Sequence, residues 1–158
     1  MNIPIIINGE RTIIQASPEE KLIDVLRSLK LFSAKLGCDQ GVCGSCTVLL
    51  NGKPIPACRI PVALSMNQEI TTLEHFSKTE EYAHIIKGFA KAGIKLCGYC
   101  NAGKIFAAAS ILNDRQKPTR ASIKEQVKHL SPCCTDIDTL INGIIYAAES
   151  KSRTKKDS

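Results

Sequence analysis

The chain has 158 residues, of which 44% are hydrophobic and 23% are charged, and these proportions exclude disorder as its main state. No run approaches the length of about 18 apolar residues that a membrane-spanning helix needs. Aromatic residues make up only 4%, which leaves few side chains to stack on single-stranded nucleic acid. The absence of a long apolar run and the low aromatic content lead us to expect that the protein binds neither membrane nor nucleic acid. Because the N-terminus lacks a basic leader with a cleavage site, we expect a cytoplasmic protein.

The first half of the chain is predicted to form two β-hairpins with a helix between them. Asn8-Gly9 and Asn51-Gly52 each separate two apolar runs, and this dipeptide favours the type I′ turn of a hairpin. Ser17 and Pro18 are the residue types that begin a helix. The buried face of that helix would comprise Leu22, Val25, Leu26 and Leu29.

The second half is predicted to form four short helices. Apolar residues recur at helical spacing in four stretches, one of which follows Cys100. The predicted N-caps of the other three helices are Ser77, Ser122 and Asp136, and Gly93 is placed to end the first helix. We therefore expect an α+β protein with a sheet-containing domain over residues 1–76 and a helical domain over residues 77–150. The formal net charge is +6, and residues 151–158, which carry +3 of it, are predicted to form a basic disordered tail.

Eight cysteines are the unusual feature of the composition. In a reducing compartment this number favours metal ligation or redox chemistry over disulfides. The cysteines fall into two groups of four, separated by 38 residues without a cysteine, which predicts two sites. The first group comprises Cys38, Cys43, Cys46 and Cys58, and the second comprises Cys97, Cys100, Cys133 and Cys134.

The first group has the spacing C-x4-C-x2-C with one distant fourth cysteine, as in plant-type [2Fe–2S] ferredoxins. A single loop must wrap around the cluster to supply three thiolates, and glycines permit the dihedral angles and close approach that wrapping needs. Gly37, Gly41 and Gly44 are therefore predicted to bind the cluster through the backbone. Four thiolates also suit zinc, but zinc sites usually combine two short C-x2–4-C pairs, so the pattern favours iron–sulfur.

The second group pairs Cys97-Gly-Tyr-Cys100 with the adjacent Cys133 and Cys134. No βαβ pattern surrounds the C-x2-C pair, which argues against a thioredoxin-like site. Both pairs precede predicted helices, whose N-termini stabilise thiolates and anionic clusters. By spacing alone, these four sulfurs suit a [2Fe–2S] cluster or zinc equally.

Two stretches of the sequence resemble the iron–sulfur subunit of the xanthine dehydrogenase/aldehyde oxidoreductase family of molybdenum hydroxylases. One runs from Leu36 to Gly52 and continues at Pro56-Ala-Cys58, and the other is Cys97-Gly-Tyr-Cys-Asn-Ala-Gly103. The two motifs occur in the family's order, and the resemblance extends over nearly the whole chain.

The resemblance implies an N-terminal β-grasp ferredoxin-like domain followed by a C-terminal four-helix bundle domain, each with one [2Fe–2S] cluster. It also implies two partner subunits, one binding molybdopterin and the other binding FAD. In the family the helical-domain cluster lies nearer molybdenum and the other lies nearer the flavin. The chain would then relay electrons as part of an oxidoreductase and catalyse no hydroxylation alone.

The sequence departs from the family pattern at the second cluster. The family has Cys-Arg-Cys-Thr-Gly-Tyr where this chain has Pro132-Cys-Cys-Thr-Asp-Ile137. Either Cys133 supplies the fourth thiolate, or it is a spare thiol in the place of the arginine. Leu96 stands where the family has a glutamine that contacts the pterin, and Asn101-Ala102 replaces Thr-Pro.

Two other functions are compatible with the same residues. One is a free-standing ferredoxin-like electron carrier without a molybdenum partner, and the other is a structural module stabilised by zinc. The three histidines are predicted to be surface or half-buried side chains, not ligands; they are His75, His84 and His129.

Overall fold

The computed structural model describes residues 1–37, 44–96, 98, 101–114, 116–130 and 135–157, with the side chains of 154–157 excepted. Within these residues, five strands form one mixed sheet in the order β2-β1-β5-β3-β4. β1 and β5 are parallel, and the other neighbours are antiparallel. The strands are β1 (Asn2–Ile7), β2 (Glu10–Gln15), β3 (Thr47–Leu50), β4 (Lys53–Pro56) and β5 (Glu69–Thr71).

Both predicted hairpins are present. Asn8 and Gly9 have φ angles of 52° and 85°, and Asn51 and Gly52 have 51° and 83°. Positive φ at both central residues is the signature of a type I′ turn, which matches the twist of the flanking strands. These turns set the registers of β1 with β2 and of β3 with β4.

Helix α1 (Leu22–Ser28) begins later than the sequence predicts. Ser17 forms a turn instead, in which its carbonyl accepts from the Glu20 N–H at 2.9 Å. The N–H groups of Leu22 and Ile23 donate to backbone carbonyls of residues 60 and 57, at 2.8 and 3.1 Å. The helix therefore needs no side-chain cap, because neighbouring backbone satisfies its first amides. Leu29 lies beyond the helix and is 44% exposed.

The second half of the chain is helical, as expected. Its helices are α2 (Leu73–Phe76), α3 (Glu80–Lys91), α4 (Asn101–Leu112), α5 (Arg120–Val127) and α6 (Ile137–Asp157). The N-cap of α3 is Thr79 and the N-cap of α5 is Thr119, so the prediction of Ser77 and Ser122 as caps is wrong. Ser122 instead completes the capping box that Thr119 opens. The arrangement of α3–α6 is compatible with the predicted four-helix bundle.

Two hydrophobic cores lie on opposite sides of the sheet. Val48 belongs to the core that α1 covers, whereas Leu49 belongs to the core of the helical half. Successive strand residues point to opposite faces, so β3 contributes to both cores. The helical half thus packs on the sheet face away from α1, and the predicted α+β class is confirmed.

The predicted disordered tail is helical in its described part, because α6 continues to Asp157. The Lys151 Nζ donates to the Leu112 carbonyl at 3.2 Å and lies 3.6 Å from the Glu81 carboxylate. These contacts hold the start of the predicted tail against the helical half. Among the described helices, none is both long enough and apolar enough to cross a membrane.

Candidate metal centres

Two cysteines of the first group lie side by side in the sheet-containing half. Cys46 directly precedes β3, and Cys58 follows β4, which pairs with β3 in antiparallel register. The Cys58 N–H donates a hydrogen bond to the Cys46 Sγ at 3.4 Å. Both side chains are buried, with 2% and 1% of their surface exposed. The hairpin therefore returns the fourth predicted ligand to the loop that carries the other three.

The backbone closes the base of that loop. The Lys35 N–H donates to the Ser45 carbonyl at 2.8 Å, which joins the entry and exit of the loop. At the exit, the Gly44 carbonyl accepts from both the Thr47 N–H, at 3.1 Å, and the Thr47 hydroxyl, at 2.7 Å. Gly44 has a φ of +81°, a conformation that glycine adopts at little cost. The predicted loop residues Cys38, Gly41 and Cys43 lie outside the described residues, and Gly37 is exposed at the entry.

The loop entry is also fixed to its surroundings by side chains. The Arg27 guanidinium donates to the Ala34 carbonyl at 3.1 Å. The Glu74 carboxylate, from the start of the helical half, accepts from the Ser33 N–H at 2.9 Å and from the Ser33 hydroxyl. Burial acts to raise the pKa of Glu74, but these hydrogen bonds outweigh burial and hold the pKa below its ordinary value.

The second group of predicted ligands lies outside the described residues, and the structure shows only what flanks them. They are Cys97, Cys100, Cys133 and Cys134. Gly98 has a φ of +86° and donates its N–H to the Asn101 side chain at 2.9 Å, at the start of α4. Asp136 caps α6 as predicted, accepting from the Thr139 N–H at 2.7 Å, and this bond lowers the pKa of Asp136.

The flanks of both groups meet at one point. A Cβ atom on Gly44 would lie 3.2 Å from the Gly103 Cα and 3.0 Å from the Leu130 Cδ2. Gly44 lies between Cys43 and Cys46, Gly103 follows Cys100, and Leu130 precedes Cys133 in sequence. The chain therefore brings three of its cysteine-bearing segments together, although they are far apart in sequence.

Cys46 and Cys58 fit an iron–sulfur centre. Such a centre takes thiolate ligands, and hydrogen bonds to sulfur together with low solvent exposure tune its potential. The buried thiol pair and its N–H···S bond supply these features. Over the described part of the chain, no three His, Cys, Asp or Glu side chains form another candidate metal site. His75 and His129 are exposed and His84 is half-buried, as predicted.

Comparison with protein families defines the class of the protein. Residues 5–70 match the 2Fe-2S iron-sulfur cluster binding domain, and residues 72–145 match the [2Fe-2S] binding domain. The chain is therefore a protein with two [2Fe–2S] domains in tandem, and the prediction of two clusters is confirmed. Zinc is correspondingly disfavoured at the second site.

Three similar proteins show which kind of [2Fe–2S] protein the chain resembles. The xanthine dehydrogenase iron-sulfur-binding subunit of Escherichia coli O157:H7 is 34% identical, over 92% of both chains. A chain of quinoline 2-oxidoreductase from Pseudomonas putida 86 superposes with a TM-score of 0.85 and 33% identity, over 97% of this chain and 96% of that one. The aldehyde oxidoreductase of Desulfovibrio desulfuricans ATCC 27774 superposes with a TM-score of 0.82 and 33% identity, over 98% of this chain but 17% of that chain.

The chain belongs to the iron–sulfur subunits of the xanthine dehydrogenase/aldehyde oxidoreductase family of molybdenum hydroxylases. It is an electron-transfer component of an oxidoreductase and functions with partner subunits. The assignment of individual cysteines as ligands stays a prediction.

Three structural features around the predicted centres were not predicted from the sequence. The Ser33–Glu74 contact was assigned no role, and it has no local sequence signal. Gly103 is the last residue of the motif that begins at Cys97, but the sequence analysis gave it no structural role. The presence of a glycine at the end of that motif was the available signal. Lys104, a lysine next to Gly103 that is only 2% exposed and has an interaction partner, was also not singled out.

Proposed function

We propose that this chain passes electrons from a molybdenum centre on one partner subunit to FAD on another. The observation that carries the proposal is the buried Cys46–Cys58 pair, held by a hairpin inside a protein with two [2Fe–2S] domains. A division of the chain near residue 76 into one cluster-bearing domain on each side is part of this proposal. A cytoplasmic location also stays a prediction.

The proposed ligands are divided between the halves. Cys38, Cys43, Cys46 and Cys58 would hold the first cluster, and Cys97, Cys100, Cys133 and Cys134 would hold the second. A bound [2Fe–2S] cluster supplies the capacity to accept and release one electron at a time. Using all eight cysteines provides four thiolates for each cluster, which is the number that such clusters take.

The protein's own residues give the first site its character. Cys46 and Cys58 are almost completely buried, so the fold keeps water away from their sulfur atoms. The Cys58 N–H directs a hydrogen bond at the Cys46 sulfur, which stabilises negative charge there. Gly44 lets the backbone turn close to this pair, since φ is positive at that residue.

The comparison with larger relatives supports the partner assignment. The chain matches only 17% of the aldehyde oxidoreductase chain, whereas it covers 92% of the xanthine dehydrogenase iron-sulfur-binding subunit. A chain of this length therefore corresponds to a separate subunit in one relative and to a segment in another. We assign the molybdopterin and FAD sites to separate partner chains of the complex.

The free-standing carrier is the second candidate, and Leu96 favours it. The family's glutamine at this position contacts the pterin, and the leucine side chain cannot donate or accept a hydrogen bond. Leu96 instead packs against the core of the helical half. A carrier without a molybdenum partner would have no need of the lost contact.

One experiment separates these functions. The chain is purified without oxygen from its native source, and iron, sulfide, zinc and molybdenum are measured together with EPR spectra after dithionite reduction. We expect two [2Fe–2S] signals and co-purification with subunits that contain molybdenum and flavin. Two clusters in a protein that purifies alone would support the carrier, and zinc without iron would overturn both electron-transfer functions.

A further inference from the structure

Two glycine residues bring the two halves of the protein into direct backbone contact. A Cβ atom built on Gly103 would lie 2.7 Å from the Gly44 carbonyl oxygen and 2.9 Å from the Gly44 Cα. In the opposite direction, a Cβ atom on Gly44 would lie 3.2 Å from the Gly103 Cα. Non-bonded carbon atoms prefer separations of about 3.5–4.0 Å, so a side chain at residue 103 has no room and one at residue 44 would be tightly crowded.

The contact lies between the two segments that carry the predicted ligands. Gly44 is in the first cysteine loop, between Cys43 and Cys46, and Gly103 is the third residue after Cys100. Gly103 belongs to the first turn of α4, so its position is fixed by the helix.

The contact is also closely packed on its other sides. Leu130 lies on a further side of Gly44, where its Cδ2 would be 3.0 Å from an added Cβ. On the helix, Ala102 and Lys104 flank Gly103 and are 1% and 2% exposed. A methyl group at residue 103 would therefore have to separate the two segments, because the atoms that it meets are backbone atoms that cannot rotate aside.

We propose that Gly103 is a positioning residue that sets the separation of the two cluster-bearing segments. This inference rests on the proposed function, since it concerns the distance between two centres of one electron relay. A shorter distance between the segments allows faster electron exchange and stronger magnetic coupling between the centres. Glycine at residue 103 gives the shortest backbone separation that the contact permits.

The test compares Gly103→Ala with a matched variant, Gly88→Ala. Gly88 lies in α3 where that helix packs against α6, and a Cβ atom there would be 2.3 Å from the Ala147 nitrogen. Gly88→Ala should therefore disturb the packing of the helical half at least as strongly as Gly103→Ala does. It does so at the contact between α3 and α6 and leaves the Gly44–Gly103 contact unchanged. Iron, sulfide and unfolding are measured for each full-length protein, and EPR of the fully reduced protein gives the splitting due to coupling between the two spins.

We expect Gly103→Ala to retain both clusters and to show a smaller splitting than the parent protein, because dipolar coupling falls with the cube of the distance. Gly88→Ala should be less stable than the parent but should keep the parent splitting. An unchanged splitting in fully loaded Gly103→Ala overturns the inference, as does an equal decrease in both variants. Absence of two clusters from the parent protein would overturn the proposed function instead.

A double variant tests the inference in case Gly103→Ala binds fewer than two clusters. If Gly103→Ala binds less iron, the double variant Gly103→Ala/Leu130→Ala gives Gly44 room to move away from residue 103 and should restore both clusters. We again expect a smaller splitting than in Leu130→Ala alone. A parent-like splitting in the loaded double variant, or failure of Leu130→Ala to restore loading, overturns the inference.

Discussion

The two halves of the molecule differ in the structural element on which the assembly of their predicted ligands depends. In the sheet-containing half, the β3–β4 ladder places Cys58 against Cys46, so residues close in sequence meet through strand register. In the helical half, the predicted ligands lie before α4 and between α5 and α6, and only the packing of helices can bring them together. The first site therefore depends on local pairing, and the second depends on a whole core.

This contrast extends to the residues that join the halves. The Leu49 side chain extends from β3 into the helical core. Glu74 in α2 accepts a hydrogen bond from Ser33 at the entry of the first loop. The first site is consequently tied to the helical half at two places, although its own ligand pair is local. Substitution of a ligand in one half should nevertheless affect mainly the cluster of that half, because each cluster has its own four predicted thiolates.

The largest expected effect is the loss of one cluster from the sheet-containing half. Cys58→Ser replaces a thiolate by a poorer ligand, so we expect iron to fall to one cluster per chain and one EPR signal to disappear. The matched control, Ala57→Ser, adds a hydroxyl at the neighbouring buried position and should keep both signals. Survival of both parent signals in Cys58→Ser would show that Cys58 is not a ligand.

Serine substitution of the predicted ligands in the helical half tests the adjacent pair Cys133 and Cys134. We expect Cys133→Ser and Cys134→Ser each to alter or abolish the second EPR signal while sparing the first. Two clusters with four thiolates each require all eight cysteines of the chain. Iron content and EPR are measured side by side for the two variants. Unchanged iron and spectra in Cys133→Ser alone would identify a spare thiol there.

A smaller effect should distinguish the two faces of β3. Leu49→Ala removes a buried side chain from the helical core and should cost about 2–5 kcal/mol, since deletion also leaves a cavity. Hydrogen exchange should become faster in α4 than in α1, because α4 packs on β3. Leu50→Ala, on the opposite face and only partly buried, is the control. Faster exchange confined to α1 in Leu49→Ala would contradict the assignment of faces.

The smallest expected effect concerns pH. Because the pKa of Glu74 is lowered in the folded protein, its contribution to stability is present above the unfolded value of 4.5 and is lost as the pH falls through the lowered pKa. Glu74→Gln should remove this dependence, which amounts to less than about 1 kcal/mol because solvent screens a partly exposed group. Urea unfolding across this pH range measures it. Ser33→Ala should weaken the dependence, and the same dependence in all three proteins would exclude Glu74 as its source.

Local sequence determined much of the fold. Asn8-Gly9 and Asn51-Gly52 predicted both hairpins, because a type I′ turn depends on the dihedral freedom of its own two residues. Helical periodicity predicted α3 to α6, although the caps of α3 and α5 are Thr79 and Thr119 and not the predicted serines. The start of α1 could not be predicted, because backbone groups of residues 57 and 60 replace the side-chain cap.

Cysteine spacing predicted the first [2Fe–2S] cluster, because the C-x4-C-x2-C pattern is specific to such centres. The second cluster was predicted only from the resemblance to the family, since its spacing suits zinc equally well. Tertiary structure alone decided that Leu49 serves the helical core and that α6 continues beyond residue 150, where Lys151 finds partners on Leu112 and Glu81. It also decided that Gly44 meets Gly103, because contacts between segments far apart in sequence depend on how α4 packs against the sheet, and a linear pattern contains no information on that packing.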